Sequence, residues 1–253
     1  MSIRAPVAAF VAALLVALPA PALSAPAEPI FGFEAMNGAL PYRIHAPEPV
    51  AAGQTYPLVV VLHGSGQMGQ DNIAQMDGMA TAWARPRIAR GFPAYVVAPQ
   101  VAQRSAEYFQ GEDGLRASRP GPAFAQVTAL IDELARTLPI DPKRIYLTGF
   151  SMGASTAMDL VAAAPERFAA VVAFSGVPPS RALAPTVASV PMAMVHGDRD
   201  RENPIEADRA WLAAMKAAGG EASLLEIPGL GHDVPAALVG ALDWRGWMFK
   251  KHK

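Results

Sequence analysis

The sequence predicts an α/β fold: a mostly parallel central sheet with helices on both faces, entered through an N-terminal β-hairpin. Three observations carry this reading. Apolar runs at 57–62, 94–98, 145–148, 169–174 and 192–195 lack polar alternation, as strands buried on both faces do. Helix-like stretches separate most of these runs, and alternating strands and helices imply parallel pairing. The third observation is Gly149-Phe-Ser-Met-Gly153, between one such strand and an apolar, helix-prone run over 154–164. G-x-S-x-G in strand–turn–helix context is the signature of a nucleophile elbow. By chance the motif occurs in roughly one chain in ten of this length, so its context matters more than its letters.

Composition narrows the classes. The chain has 253 residues, 52% hydrophobic and 17% charged, which suits a globular domain with a substantial core. A formal net charge of −1 offers no basic surface for nucleic acid or an anionic membrane. The absence of cysteine excludes disulfides, thiol nucleophiles and thiolate-bound metals. Residues 1–27 read as a secretory signal peptide: Arg4, an apolar stretch from Val7 to Leu18, then prolines and small residues, with cleavage expected between 22 and 27. That stretch is too short for a permanent membrane anchor. The expectation is a single domain over 28–253, periplasmic or secreted.

Taken in order, two short runs at 31–36 and 39–44 flank Asn37-Gly38, which predicts a hairpin with a type I′ turn. A Pro- and Gly-broken loop leads to the first buried strand at 57–62. His63-Gly64-Ser65-Gly66 ends it, and helical character follows over 73–90, interrupted by Pro86. After the strand at 94–98, residues 101–122 read as a long polar loop of the kind that is usually functional or mobile. An amphipathic helix is expected over 123–138, then the elbow strand and helix. A Pro-rich loop over 177–190 follows the strand at 169–174. Beyond the strand at 192–195 come a helix at 206–218, stopped by Gly219-Gly220, and a strand at 222–227. A helix over 235–249 carries Trp244 and Trp247 to the end.

In a parallel sheet, functional residues gather at the carboxyl ends of strands. Ser151, His232, and Asp200 or Asp198 each follow a predicted strand. A serine hydroxyl is a weak nucleophile until a base takes its proton, and histidine suits that task. A carboxylate on the far ring nitrogen holds the tautomer and stabilises the imidazolium. Asp200 is preferred to Asp198 because it has more loop with which to reach across. The Met152 N–H, with Ser65 or Gly66 from the loop after the first buried strand, would receive the oxyanion. His63 and His196 read as loop-orienting residues, and His232 could instead be a solvated loop histidine. Tyr108 and Phe109 could line an acyl pocket or simply pack. No metal-ligand spacing, phosphate loop or dinucleotide fingerprint is present, so no metal or cofactor is expected.

Several segments together resemble secreted α/β-hydrolases: Pro57-Leu-Val-Val-Val-Leu-His-Gly-Ser-Gly66 with Asp71-Asn72, Ile140 to Gly153, Pro165 to Val172, His196-Gly-Asp-Arg-Asp200, and Pro228-Gly-Leu-Gly-His232. The groups it is similar to are the phospholipase/carboxylesterase-type esterases, the "predicted peptidase" esterases, and the polyhydroxybutyrate depolymerase and feruloyl esterase group. The resemblance covers about residues 40–250. It implies an α/β-hydrolase fold with a Ser, Asp, His order along the chain. It also implies an acid a few residues beyond the His-Gly, where Asp200 lies. Ala154, Met158 and the Gln67-Met68 pair depart from common family patterns and leave the subfamily open. The implied function is a serine hydrolase acting on small-molecule or polymeric esters through an acyl-enzyme. A peptidase of the same fold and a non-catalytic binding protein are the other readings.

Overall fold

The computed structural model describes residues 29–111 and 113–253; residues 1–27, expected to be a signal peptide, lie outside them. Among the described residues, ten strands form two sheets. The main sheet has eight: β1 (Glu34–Met36), β2 (Tyr42–His45), β3 (Tyr56–Leu62), β4 (Tyr95–Pro99), β7 (Ile140–Phe150), β8 (Ala170–Phe174), β9 (Met192–Gly197) and β10 (Ala222–Ile227). Their spatial order is β1-β2-β4-β3-β7-β8-β9-β10, and every pair from β4 to β10 is parallel. β1 and β2 pair antiparallel with each other, and β2 joins β4 antiparallel. β5 (Ala106–Gln110) and β6 (Arg116–Pro120) make a separate antiparallel hairpin.

All seven residues of β3 are buried, and its side chains divide between two cores. Leu58, Val60 and Leu62 join the core that contains helices α3 (Phe124–Thr137), α4 (Met152–Ala163), α5 (Ala184–Val187) and α6 (Glu206–Ala217). Val59 and Val61 join the opposite core, with α1 (Gly78–Thr81), α2 (Pro86–Gly91) and α8 (Asp243–Phe249). Two-sided burial is why these strands are apolar throughout, and it places their carboxyl ends along one rim.

Four local expectations are corrected. Met36 pairs with Tyr42, so the first hairpin closes with five residues instead of a two-residue turn. Asn37 and Gly38 lack the positive φ that a type I′ turn requires at both positions. The helix expected over 73–90 starts only at Gly78, where Asp77 accepts from the Met79 and Ala80 amides, and α1 gives way to a 3₁₀ turn at Ala82–Ala84 before the expected interruption at Pro86, where α2 begins. The stretch 235–249 is α7 (Ala236–Val239) and α8, separated at Gly240. The polar stretch 101–122 holds the β5–β6 hairpin.

That hairpin is fastened to α4 by three side-chain pairs: Ser105 to Thr156 at 2.7 Å, Tyr108 to Ser155 at 3.2 Å, and Ser118 to Asp159 at 2.7 Å. Asp159 is 2% exposed, and its second carboxyl oxygen has no protein partner. Burial raises its pKa to about 7, against the lowering effect of the Ser118 hydrogen bond. Its folded pKa therefore lies above the unfolded value of 3.8, and the folded state holds the extra proton between the two.

Two predictions follow for stability. Leu147→Ala, at a fully buried β7 position, should cost about 2–5 kcal/mol in urea unfolding, whereas Leu225→Ala, half exposed on edge strand β10, should stay within about 0.5 kcal/mol. Wild-type stability should fall as pH rises from about 4 to 7, by up to about 4 kcal/mol from this one group. Asp159→Asn should flatten that slope and be more stable than wild type at pH 8; an unchanged slope in the variant would refute the assignment.

Candidate active site

The site lies at the carboxyl ends of β7, β9 and β10. β7 ends at Phe150 and α4 begins at Met152, leaving Ser151 alone to turn the chain. It does so with φ 53° and ψ −117°, a region an L-residue occupies at a cost of about 1–3 kcal/mol. Two backbone hydrogen bonds hold it, its N–H donating to the Phe174 carbonyl at 2.9 Å and its carbonyl accepting from the Ser155 amide at 3.0 Å, and the Ser155 hydroxyl also donates to that carbonyl at 3.2 Å. The flanking glycines are sterically required. A Cβ on Gly149 would lie 2.7 Å from the Leu62 carbonyl oxygen, and one on Gly153 would lie 2.7 Å from that of His63.

His232 arrives on the loop after β10. Its Nε2 lies 2.8 Å from Ser151 Oγ, and its Nδ1 lies 2.7 Å from Asp200 Oδ2. Since the carboxylate can only accept, Nδ1 carries the proton and Nε2 is free to accept from the serine hydroxyl. The Phe150 ring packs 4.8 Å from the imidazole, centre to centre. Glu202 Oε2, on an exposed side chain, lies 3.7 Å from Nε2.

Asp200 and Asp198 have different positions and partners. Asp200 is buried, and its Oδ1 accepts from the Glu202 and Asn203 amides, each at 2.9 Å. Asp198 instead accepts from the Gly229 amide at 2.6 Å, while the Arg199 amide donates to Leu230. Asp198 thus anchors the loop that carries His232. Gly197 permits that approach, since a Cβ there would meet the Gly231 oxygen at 2.6 Å.

The remaining sequence candidates fall into place around these three. Ser65 and Gly66 open a 3₁₀ turn after β3, whose end packs against Gly153. Their N–H groups, like that of Met152, belong to first-turn positions that a helix leaves without internal partners. Tyr108 and Phe109 line an open cleft of about 530 Å³ with Leu115, Arg116 and Pro204. The Tyr108 hydroxyl meets Ser155, one helical turn beyond Ser151, and Arg104 and Arg116 lie 5.0 and 5.6 Å from its ring centre. His63 is buried away from the three: its Nδ1 donates to the Gly64 carbonyl at 2.7 Å, and its Nε2 accepts from the Val101 amide at 3.1 Å. Burial lowers its pKa, which suits this neutral tautomer.

Sequence reading missed several supports. Ser155 accepts from the Val177 amide at 2.8 Å, joining the elbow helix to the loop after β8. Arg116 reaches from β6 to the Glu202 carbonyl and, at 3.4 Å, to Asn203 Oδ1, tying the hairpin to the loop that carries Asp200. Asp208 is fully buried on α6. Its signal was present, because Asp208, Trp211 and Met215 fall on one helical stripe. A carboxylate within an apolar stripe needs a partner. Among the described residues, no group of three or more His, Asp or Glu side chains is arranged to hold a metal ion. No described helix is long and apolar enough to cross a membrane.

Comparison with known proteins agrees with this architecture. The candidate esterase NocK of Nocardia uniformis subsp. tsuyamanensis is 30% identical over 172 residues, which is 65% of this chain and 46% of that protein. The chain therefore spans about half the length of this curated relative. The crystal structure of a thermostable esterase is 26% identical with a TM-score of 0.79, over 88% of this chain and 63% of that one. An S-formylglutathione hydrolase from Agrobacterium tumefaciens, 16% identical, shares the fold with a TM-score of 0.64 over 89% of this chain and 98% of its own. The phospholipase/carboxylesterase family model matches residues 109–243, a span that runs from the β5–β6 hairpin through the elbow and the acid loop to beyond His232. The chain belongs to the phospholipase/carboxylesterase family and has the α/β-hydrolase fold.

Proposed function

We propose that this protein is a serine hydrolase that cleaves carboxylic esters, with Ser151 as nucleophile, His232 as base and Asp200 as the acid that orients the base. The observation that carries the reading is the continuous line of two short hydrogen bonds, Ser151 Oγ to His232 Nε2 at 2.8 Å and His232 Nδ1 to Asp200 Oδ2 at 2.7 Å. A nucleophile, a base and an orienting group within hydrogen-bond reach make up the working arrangement of this chemistry.

In the proposed reaction, Ser151 Oγ attacks the ester carbonyl as its proton passes to His232 Nε2. The carbonyl oxygen takes the electron pair and becomes an oxyanion, received by the Met152 N–H and by Ser65 or Gly66 N–H. Collapse restores the carbonyl and breaks the bond to the alcohol oxygen, which takes the proton from His232. Water then attacks the acyl-enzyme with His232 as base, releasing the acid and restoring Ser151. Each oxyanion donor is worth about 3–4 kcal/mol of barrier in sites of this kind. The cleft beside Tyr108 and Phe109 is the proposed place for the acyl or alcohol portion of the substrate. The leader-like residues 1–27 support a periplasmic or secreted site of action.

The test is labelling by a fluorophosphonate probe together with hydrolysis of short-chain p-nitrophenyl esters. Wild type should label and turn over. Ser151→Ala should fold, fail to label and lose at least about a thousandfold in kcat. Asp200→Asn should lose about 10³–10⁴-fold, whereas Asp198→Asn, which only loosens the His232 loop, should lose about tenfold or less. Acid should suppress kcat/KM, because a general base works only in its unprotonated form. A folded wild type that neither labels nor turns over would sink the reading.

A further inference from the structure

Behind Asp200 lies a second histidine–carboxylate pair that the proposed reaction does not use. His196, on β9, is completely buried. Its Nδ1 lies 2.7 Å from Asp208 Oδ2. Its Nε2 lies 2.8 Å from the Asn203 carbonyl and 3.1 Å from Asp200 Oδ2. A carbonyl oxygen can only accept, so Nε2 must carry a proton. That N–H is therefore shared between the Asn203 carbonyl and the Asp200 oxygen that also faces His232. The line runs Asp208, His196, Asp200, His232, Ser151.

We propose that His196, seated by Asp208, is a positioning residue for ester hydrolysis: its Nε2–H fixes Asp200 Oδ2 in place and shares that oxygen with His232. The inference rests on the triad reading above. Its physical content is competition for one oxygen. Oδ1 is occupied by the Glu202 and Asn203 amides. Oδ2 receives both histidines, so without the His196 proton its electron density is left to His232 alone. The Asp208 carboxylate cannot donate unless protonated, so the 2.7 Å contact at Nδ1 shares one proton in either form of the pair. Burial opposes charge on His196, but its bond to Asp208 and the Asn203 carbonyl outweigh that and keep its proton on to higher pH than in an ordinary histidine. Burial likewise raises Asp208. Two titratable groups bond the ring, Asp200 at the site and Asp208 on α6; Glu226, held by Arg209, is its register neighbour on β10, and His232 lies on the other side of Asp200 Oδ2.

The experiment compares wild type, His196→Gln, which can keep a donor near Nε2, and His196→Leu, which cannot. Fluorophosphonate titration counts competent sites, p-nitrophenyl butyrate hydrolysis gives kcat, KM and the pH profile, and thermal melting reports folding. His196→Leu should lose about 30- to 100-fold in kcat with KM within twofold, and the acid limb of its kcat/KM profile should move to higher pH by half a unit or more. His196→Gln should recover to within about fivefold of wild type with the acid limb restored. A folded His196→Leu with wild-type kcat and profile overturns the proposal, as does loss in both variants that merely tracks melting temperature. Should His196→Leu not fold, ¹⁵N-histidine NMR of the wild type decides: Nε2 of His196 must stay protonated from pH 5 to 9, and an unprotonated Nε2 in that range refutes the role. Failure of the triad reading itself looks different, because the wild type then neither labels nor turns over.

Discussion

The carbonyl of Leu62 occupies the space that side chains on Gly149 and Gly153 would need, and the geometry of the site follows from that contact. β3 and β7 are parallel neighbours, with Leu62 paired to Gly149. Because the two backbones close without intervening side chains, the chain can leave β7, turn at one residue and start α4 against the end of β3. Ser151 is thereby lifted off the sheet at positive φ. The 3₁₀ turn after β3 is held beside the start of α4 by the same contact. One close approach thus sets both the placement of the hydroxyl and that of the amides on either side of it. The strain at Ser151 is compensated by its two backbone hydrogen bonds and by the packing of α4 against β3, β7 and β8.

The other half of the site depends on a similar approach one strand beyond β8. Gly197 ends β9 where the backbone of Leu230 and Gly231 crosses it, and Asp198 takes the Gly229 amide. The loops after β9 and β10 are thus joined before either supplies a side chain to the centre. Asp200 and His232 meet because their loops are tied together one to three residues away. The β5–β6 hairpin adds a third tie. It bonds α4 through Tyr108 and Ser118, and the acid loop through Arg116. Ser151 and Asp200 are therefore braced by one surface element that also lines the cleft.

Legibility in the sequence follows the range of the forces involved. The parallel strands were readable because two-sided burial demands apolar residues at every position, as in Val59, Val60 and Val61. Ser151 sat in a motif whose glycines have a steric reason, and His232 and Asp200 were candidates by their strand-end positions. The structure brings all three within hydrogen-bond reach. The β5–β6 hairpin was not readable, since what buries Ser118 is Asp159 on a helix 41 residues away. Along β5 and β6 the Glu107–Arg119 pair also masks the alternation. The break at Gly240 was hidden because the helical period of 235–249 continues through it, and a Cβ there would meet Arg85, a distant residue. Loop length favoured Asp200 over Asp198, but the partner that occupies Asp198, the Gly229 amide 31 residues on, is not encoded by local spacing.

Asp200 poses an electrostatic problem that explains why its surroundings are so polar. A carboxylate with little solvent loses hydration worth several kcal/mol, and only hydrogen bonds to the ion can replace it. Two backbone amides serve Oδ1, and two imidazoles serve Oδ2. A lysine in place of His196 could supply a donor, but it would add a full charge beside His232 and oppose the imidazolium that the proposed reaction forms. A serine would supply a weaker donor, free to rotate away. A histidine joined to a buried carboxyl supplies a rigid N–H while the pair as a whole stays neutral. Its proton is fixed on one nitrogen by the Asn203 carbonyl and balanced on the other by Asp208. The arrangement therefore holds Asp200 without biasing His232 by net charge. This is a physical reason for a second His–Asp pair directly behind the first.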